Sequence, residues 1–213
     1  MNSLKTMLIW LCLAVAPNFA SATLIYDQWV SNEGDTGNYI ITVNQAVDTF
    51  MVEVTVNPWN AEALAIFIDW GDVDIADTTL TNGLPVGEVN LFATDTTSNS
   101  CGGGCNLNGL IAPIADPDGE WEWVINLGQQ GFDSIQTFSF DLAANGLTLD
   151  DWGLIGMRSQ QLCTGGALLP GGADTGACDG SDKSYSTNGV AEPGTLVLLG
   201  AGLLGLGLRR RRS

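Results

Sequence analysis

The sequence predicts an all-β fold, a single antiparallel β-sandwich of jelly-roll type flanked by a signal peptide and a C-terminal transmembrane helix. Short runs rich in β-branched and aromatic residues recur along the chain, with Gly, Asn and Asp between them. Apolar and polar positions alternate in many runs, as where Phe50, Val52 and Val54 alternate with Met51 and Glu53. No stretch between the two ends sustains a capped helical periodicity.

Eight runs have the length and composition of strands. They are Leu24–Val30, Tyr39–Val43, Thr49–Val56, Ala63–Trp70, Val89–Thr94, Trp121–Asn126, Ser134–Leu142 and Trp152–Arg158. Turns are predicted at Asn82-Gly83, Asp118-Gly119 and Asn145-Gly146, and a helical turn near Asn60–Ala63 or Thr148–Trp152. Residues 96–119 and 159–182 are rich in Gly, Ser and Asp and are predicted to be long loops.

The first 22 residues have the pattern of a secretory signal peptide. Lys5 supplies a positive start, Met7 to Val15 an apolar stretch, and Ala20-Ser21-Ala22 a small-residue cleavage site. A retained N-terminal anchor is the alternative, but the apolar stretch is short for a membrane span. We therefore expect Thr23 to begin the mature chain and residues 23–190 to form one exported domain.

The C-terminal end combines an apolar run with positive charge. Residues 194–208 carry no charge, and Arg209, Arg210, Arg211 and Arg212 follow them. At about 1.5 Å of rise per residue this run is short for a hydrocarbon core of about 30 Å, although snorkelling arginine stems extend its reach. Basic residues favour the cytoplasmic side, which would place the domain outside. A buried core helix is the alternative, and four adjacent arginines disfavour it.

Val190-Ala191-Glu192-Pro193, the apolar run and the arginines together resemble the PEP-CTERM sorting signal of Gram-negative bacteria. Glu192 and Pro193 match the last two motif positions, whereas Ala191 stands where the first proline is usual. The resemblance implies a signal over residues 191–213 that secretion machinery and an exosortase handle. It also implies a membrane tether before processing, and then release or attachment to extracellular polysaccharide at the cell surface.

The end of the domain also resembles exported PEP-CTERM proteins, in which a strand carrying G-x-R-x-Q precedes a Gly-rich loop and a final Ser-Asp-Lys-like strand. Gly156, Arg158 and Gln160 match the first element, and Ser181-Asp182-Lys183 matches the last. Arg158 and Lys183 are the two cations of residues 23–190, so we expect each to pair with a carboxylate.

Four cysteines remain after removal of the signal peptide: Cys101, Cys105, Cys163 and Cys178. An even count in an exported domain predicts two disulfides, with three possible connectivities. The short Gly-rich separations favour the local pairs. A four-cysteine zinc site is the alternative, and the absence of a C-x2-C spacing disfavours it.

Charge and composition exclude several functions. Of 24 acidic residues only Glu192 lies outside residues 23–190, so that segment has a net charge of −21. Such a surface repels nucleic acid and anionic lipid, which excludes both as partners of the domain. The chain has no histidine, which excludes Ser-His-Asp and Cys-His nucleophiles and His-ligated catalytic metals. We therefore expect a non-enzymatic protein without a required cofactor.

Two acidic patterns keep other functions open. Glu120 and Glu122 alternate with Trp121 and Trp123, and two carboxylates beside aromatic residues could serve glycoside hydrolysis. The alternative, which we favour, is a strand with Trp121, Trp123 and Ile125 inward and a wet acidic face outward.

Carboxylates that are grouped on a loop could also ligate calcium. The candidate ligands are Asp69, Asp72, Asp74 and Asp77, with Asp116, Asp118 and Glu120 as a second group. Neither spacing is that of an EF-hand, and solvated charge is the alternative.

Six tryptophans remain after removal of the signal peptide: Trp29, Trp59, Trp70, Trp121, Trp123 and Trp152. An exposed pair would form a carbohydrate platform, whereas buried tryptophans would belong to the core. The sequence thus leaves three functions open: an exported surface or matrix protein, which we favour, a carbohydrate-binding module, and a carboxylate-dependent glycosidase.

Overall fold

The computed structural model describes residues 23–70, 79–113, 119–169 and 177–187, all within one compact unit that spans Ala22–Glu192. These four ranges contain antiparallel β-structure and no α-helix. The predicted signal peptide and the predicted C-terminal signal lie outside the described residues, so the predicted division of the chain stays a prediction.

Thirteen strands lie in the described ranges. They are β1 (Thr23–Tyr26), β2 (Val30–Ser31), β3 (Tyr39–Ala46), β4 (Thr49–Val56), β5 (Glu62–Ile68), β6 (Leu80–Leu84), β7 (Val89–Thr96), β8 (Ser100–Gly102), β9 (Cys105–Asn106), β10 (Trp121–Leu127), β11 (Thr137–Ala143), β12 (Ile155–Leu162) and β13 (Gly180–Ser186). They form a five-stranded sheet in the order β1-β3-β4-β11-β6, a six-stranded sheet in the order β2-β13-β12-β5-β10-β7, and the β8–β9 hairpin.

The five-stranded sheet buries one face. In β4, Phe50, Val52, Val54 and Val56 are buried, and the residues between them are exposed or half-buried. The register aligns Val52 with Val43 of β3 and with Phe140 of β11, so buried side chains form a row across the sheet. The alternation that the sequence predicts is confirmed here, and it directs this face towards the core.

The six-stranded sheet buries both faces of its central strands. Every residue of β5 is buried. Ile66 and Ile68 join the main core cluster, which also includes Val52 and Phe140 of the other sheet, so the two sheets share one core. Ala65 and Phe67 point into a second cluster on the opposite face.

The second cluster is covered by the Gly-rich segment that the sequence predicts to be a loop. Cys101 and Cys105 of the β8–β9 hairpin and the buried Leu107 pack against Phe67 and Trp121. Leu110 and Ala112 extend this cover. Residues 97–113 therefore act as a third layer over the outer face of the six-stranded sheet.

Several predicted boundaries are wrong. The run Leu24–Val30 contains β1 of one sheet and β2 of the other, because the exposed Asp27-Gln28 pair lies where the chain passes between them. Asn82-Gly83 lies inside β6, where Asn82 has a φ of 54°. Residues 159–162 belong to β12 and residues 180–182 to β13, so the second predicted loop is shorter than expected.

The helical turn predicted near Thr148–Trp152 is confirmed as the short 3-10 helix Leu149–Asp151. Its N-cap is Thr148, whose hydroxyl accepts a hydrogen bond from the backbone of Asp150, while the Asp151 carboxylate accepts one from the Thr148 backbone. The turn at Asn145-Gly146 is confirmed as well. The strand predicted from Trp152 accordingly begins later, at Ile155.

Candidate functional site

The Glu120–Glu122 pair does not form a wet acidic face. Glu122 is only 3% exposed, and one of its carboxylate oxygens accepts a hydrogen bond from the Trp70 backbone. The register that pairs Trp123 with Ile68 brings Glu122 beside Asp69 at the end of β5. Glu120 lies just before β10 and is half-buried. The predicted outward carboxylate face is therefore wrong for Glu122, because this side of the strand is covered.

The two tryptophans beside these acids separate as well. Trp123 and Ile125 join the main core, where the ring centroid of Trp123 lies 4.1 Å from that of Trp70. Trp121 joins the second cluster, with its ring 5.4 Å from Phe67 and its indole N–H donating to Asn99. The expectation that Trp121, Trp123 and Ile125 share one inward face is wrong for Trp121.

Of the first group of predicted calcium ligands, the structure describes Asp69. Its side chain is fully buried, its backbone N–H donates to Leu154 at 2.9 Å, and its carbonyl accepts from Gly153 at 3.0 Å. Asp72, Asp74 and Asp77 lie outside the described residues, as do Asp116 and Asp118. Within the described ranges no group of three or more metal-ligating side chains occurs. Calcium binding stays a prediction.

None of the six tryptophans is exposed, and all six lie in the described ranges. Trp70, Trp121, Trp123 and Trp152 are buried. Trp29 and Trp59 are half-buried: the indole N–H of Trp29 donates to the Tyr39 carbonyl, and Trp59 stacks on Phe132 at 5.7 Å. An exposed pair of tryptophans is therefore not available as a sugar platform.

The two disulfides join Cys101 to Cys105 and Cys163 to Cys178, the local pairs that the sequence favours. The first closes the β8–β9 hairpin over the second cluster. The second packs with the buried Leu169 in a third, small cluster against Trp59. Both disulfides thus fasten Gly-rich loops to the two-sheet body.

The two cations of the domain sit on the paired strands β12 and β13, where Arg158 lies opposite Lys183. Lys183 forms an ion pair with Glu33 at 3.5 Å and donates to the Asn108 carbonyl. Arg158 donates from one guanidinium nitrogen to the carbonyls of Ser159 and Asp182. The expected carboxylate pair is confirmed for Lys183, whereas the hydrogen bonds of Arg158 go to backbone oxygens.

Asp182 is the centre of a buried polar network that residue types alone do not predict. Its carboxylate accepts hydrogen bonds from the hydroxyls of Tyr39, Ser31 and Ser184 and from the Gly37 backbone N–H, at 2.8 to 3.1 Å. Burial raises the pKa of Asp182, and these hydrogen bonds act in the opposite direction.

This network ties β3 of the five-stranded sheet to β13 of the six-stranded sheet. It assigns a structural role to the aspartate of Ser181-Asp182-Lys183. In the sequence, the resemblance of this segment to the final strand of other exported proteins was the signal that could have pointed to this aspartate.

A second feature that the sequence reasoning missed is a buried carboxyl pair. Glu62 opens β5 and is 1% exposed. It lies beside Asp133, whose carboxylate accepts from the backbone N–H groups of Gln129 and Ile135 at 2.9 Å. Burial, and secondarily Asp133, raise the pKa of Glu62 to about 8. The protonated form of Glu62 is therefore favoured near neutral pH, next to the Asp133 carboxyl group.

The described residues thus define a disulfide-bonded, acidic all-β domain whose buried acids serve packing and polar networks. In the described ranges no helix combines the length and the apolarity that a membrane crossing requires, and the predicted segment 194–208 lies outside those ranges.

The PEP-CTERM protein-sorting motif matches residues 190–212, which confirms the resemblance. The chain carries a PEP-CTERM sorting signal and is an exported protein that is sorted at a membrane. No curated protein and no solved structure matches the chain. The match covers the C-terminal end alone. It therefore identifies how the protein is sorted, and it carries no information on the role of the β-domain.

Proposed function

We propose that this protein is a non-enzymatic surface or extracellular-matrix protein of a Gram-negative bacterium, processed by an exosortase through its C-terminal signal. The match of residues 190–212 to the sorting motif carries this proposal. The strongly acidic composition and the two disulfides suit a domain that works outside the cell.

The burial of the acidic residues that could serve as catalytic groups supports a non-enzymatic role. The chain has no histidine, Glu122 is buried and hydrogen-bonded to the backbone of Trp70, and the buried Glu62 lies directly beside Asp133. A glycosidase needs two carboxyl groups about 5 to 10 Å apart that reach a sugar. Neither Glu122 nor Glu62 has the exposure for that role.

The finer architecture belongs to the same proposal. We infer that the two sheets pack as a sandwich of the predicted jelly-roll type, because one core cluster draws buried residues from both. We also infer that residues 194–208 span the membrane during sorting, with Arg209 to Arg212 on the cytoplasmic side. Cleavage near the motif would then release the domain or transfer it to extracellular polysaccharide.

Intact mass and localisation in cells with and without the exosortase test this proposal. We expect the wild-type protein to lose its arginine tail and leave the membrane fraction only when the protease is present. A double variant, Glu192→Ala with Pro193→Ala, should keep the tail and stay in the membrane, whereas Asn188→Ala, just before the motif, should be processed normally. A tail that persists with the protease present contradicts the proposal.

Carbohydrate binding remains the second candidate, but on different residues from those that the sequence suggested. The exposed tryptophans that it required are absent from the described surface. An uncharged cavity beside the first disulfide favours it instead.

A further inference from the structure

A cavity of about 270 Å³ lies beside the β8–β9 hairpin, at the end of the covered face of the six-stranded sheet. The hairpin and its disulfide line one side. Leu64 and Phe92 supply apolar surface, and Asn126, Gln129 and Gln130 supply amide groups. The cavity thus combines a ring, a disulfide and several amides without a charged residue in its lining.

The absence of charge from this lining contrasts with the rest of the domain. Between residues 89 and 113 the only charged side chain is Asp95, although residues 23–190 have a net charge of −21. Two further cavities of the described surface include Asp27 and Asp35 in their linings. Glu88 is near the uncharged cavity but does not line it, and the Gln129 amide donates to its carboxylate at 3.0 Å. An anionic ligand would find no positively charged partner among the described residues that line this cavity.

Two details of the lining suit a ligand that carries hydroxyl groups on an apolar ring. The side-chain oxygen of Asn126 is buried and has no hydrogen-bond partner within the described ranges, which leaves an acceptor for an incoming donor. Phe92 is 44% exposed, and its ring lies close over Gly102. A Cβ on Gly102 would lie 2.9 Å from that ring, so glycine permits the ring to form one wall of the cavity.

The hairpin that forms the other wall is fixed in place. The Cys101–Cys105 disulfide closes it, and the Gln130 amide donates to the carbonyl of Gly103 at 2.5 Å. A wall that is rigid before binding lowers the entropy that a ligand must overcome.

We propose that this cavity binds one uncharged sugar unit of a neutral glycan. The Asn126 amide turns its oxygen, which is closed to solvent in the unbound domain, towards the cavity to accept a hydrogen bond from a sugar hydroxyl, and the apolar face of the sugar ring packs on Phe92. The cavity volume of about 270 Å³ is large enough for a pyranose ring. The inference rests on the proposed matrix role, because that role supplies the glycan, and it names the ligand class for that role.

Binding of neutral and anionic polysaccharides to the exported protein, purified with its disulfides intact, tests this site. The neutral probes are dextran, mannan and cellohexaose, and alginate is the anionic control. We expect a neutral probe to bind with an affinity that added salt and a metal chelator leave unchanged, because no charge lines the cavity. Binding of alginate alone, or of no neutral probe, overturns the proposal.

Two substitutions locate the site. Phe92→Ala and Asn126→Ala should each weaken neutral-glycan binding by about tenfold or more. Phe132→Ala is the matched control, because Phe132 is an exposed phenylalanine that stacks on Trp59 and does not line the cavity, and it should leave binding within about twofold. Unchanged binding in Phe92→Ala and Asn126→Ala overturns the proposal.

Thermal unfolding separates loss of the site from loss of the fold. Phe92 is exposed, and Asn126→Ala removes a buried unpartnered oxygen, so both variants should keep the melting temperature of the wild type. The binding assay does not involve the sorting protease. Failure of glycan binding with normal tail removal would therefore refute the cavity alone, and the reverse result would refute the sorting proposal alone.

Discussion

The two sheets of this domain bury their apolar side chains differently, because one sheet is covered on one face and the other on both faces. The five-stranded sheet faces the core with one side, and Met51 and Glu53 on its other side are exposed. The six-stranded sheet faces the core with Ile66 and Trp123, and its opposite side carries Phe67 and Val124 under the segment of residues 97–113. The Gly-rich segment of residues 97–113 therefore covers the outer face of the six-stranded sheet as a third layer.

This difference between the sheets explains which carboxyl groups of the domain are buried. Strands that are covered on both faces leave no wet side for a carboxyl group. Glu62 at the start of β5 and Glu122 on β10 are consequently buried, whereas Glu53 on β4 is exposed to water. The uncharged cavity also lies where the third layer ends.

The largest expected effect tests whether the outer face is a true core. Phe67→Ala, under the third layer, should lower the free energy of unfolding by about 3 to 5 kcal/mol, as Phe140→Ala in the shared core should. Both side chains are fully buried. Met51→Ala on the open face of the first sheet is the control and should change stability by less than about 1 kcal/mol. Urea unfolding followed by tryptophan fluorescence measures all three.

A much smaller loss for Phe67→Ala than for Phe140→Ala would mean that the third layer is weakly held. The two sheets would then be alike in solution, each covered on one face. Equal losses would establish the covered face as part of one cooperative unit.

The second-largest expected effect is a pH dependence of the free energy of unfolding, caused by Glu62 at the start of the covered strand β5. The pKa of Glu62 is raised from 4.5 to about 8, so folding favours its protonated form. The stability that this protonation contributes is complete below about pH 4.5 and is lost as pH rises towards 8. Glu62→Gln keeps a neutral side chain of the same shape. Relative to it, the wild type should lose about 2 to 4 kcal/mol between pH 5 and 8.

Denaturant unfolding of both proteins across this range measures the difference, because the titrations that the two proteins share cancel in the comparison and the chain has no histidine that titrates there. Glu53→Gln on the exposed side of β4 is the matched control and should follow the wild type at every pH. Parallel pH profiles for the wild type and Glu62→Gln would show that water reaches Glu62 and that β5 is open at this end.

The contrast between the sheets also explains what the sequence could predict. Alternation in β4 predicts a strand with one buried face, and that is what the structure shows. The run Ala63–Trp70 predicts a strand too, but a largely apolar run does not tell which element covers each face. The cover comes from residues 97–113, where Leu107 and Leu110 are isolated apolar residues in a segment of Gly, Ser and Asn. No periodicity marks such a layer.

The candidate site shows the same division. Cys101 and Cys105 are close in sequence, and this short Gly-rich separation favoured their pairing over the other two connectivities. The neighbours of Asn126 and Glu62 come from distant parts of the chain, because the cavity joins β7, β10 and the hairpin while Asp133 follows β10. Composition left the tryptophans open between the core and an exposed platform, and in the structure they serve the core.

The smallest expected effect tests the contact between the third layer and the sheet directly. A Cβ on Gly156 of β12 would lie 2.7 Å from Leu107, 3.2 Å from Trp121 and 3.3 Å from Phe67. Gly156→Ala should therefore lower the free energy of unfolding by about 1 to 3 kcal/mol through overpacking. Leu107→Ala removes the closest of these atoms, so the double variant should lose less than the sum of the two single losses. Additive losses in urea unfolding would place Leu107 away from the sheet in solution and reduce the six-stranded sheet to a singly covered one.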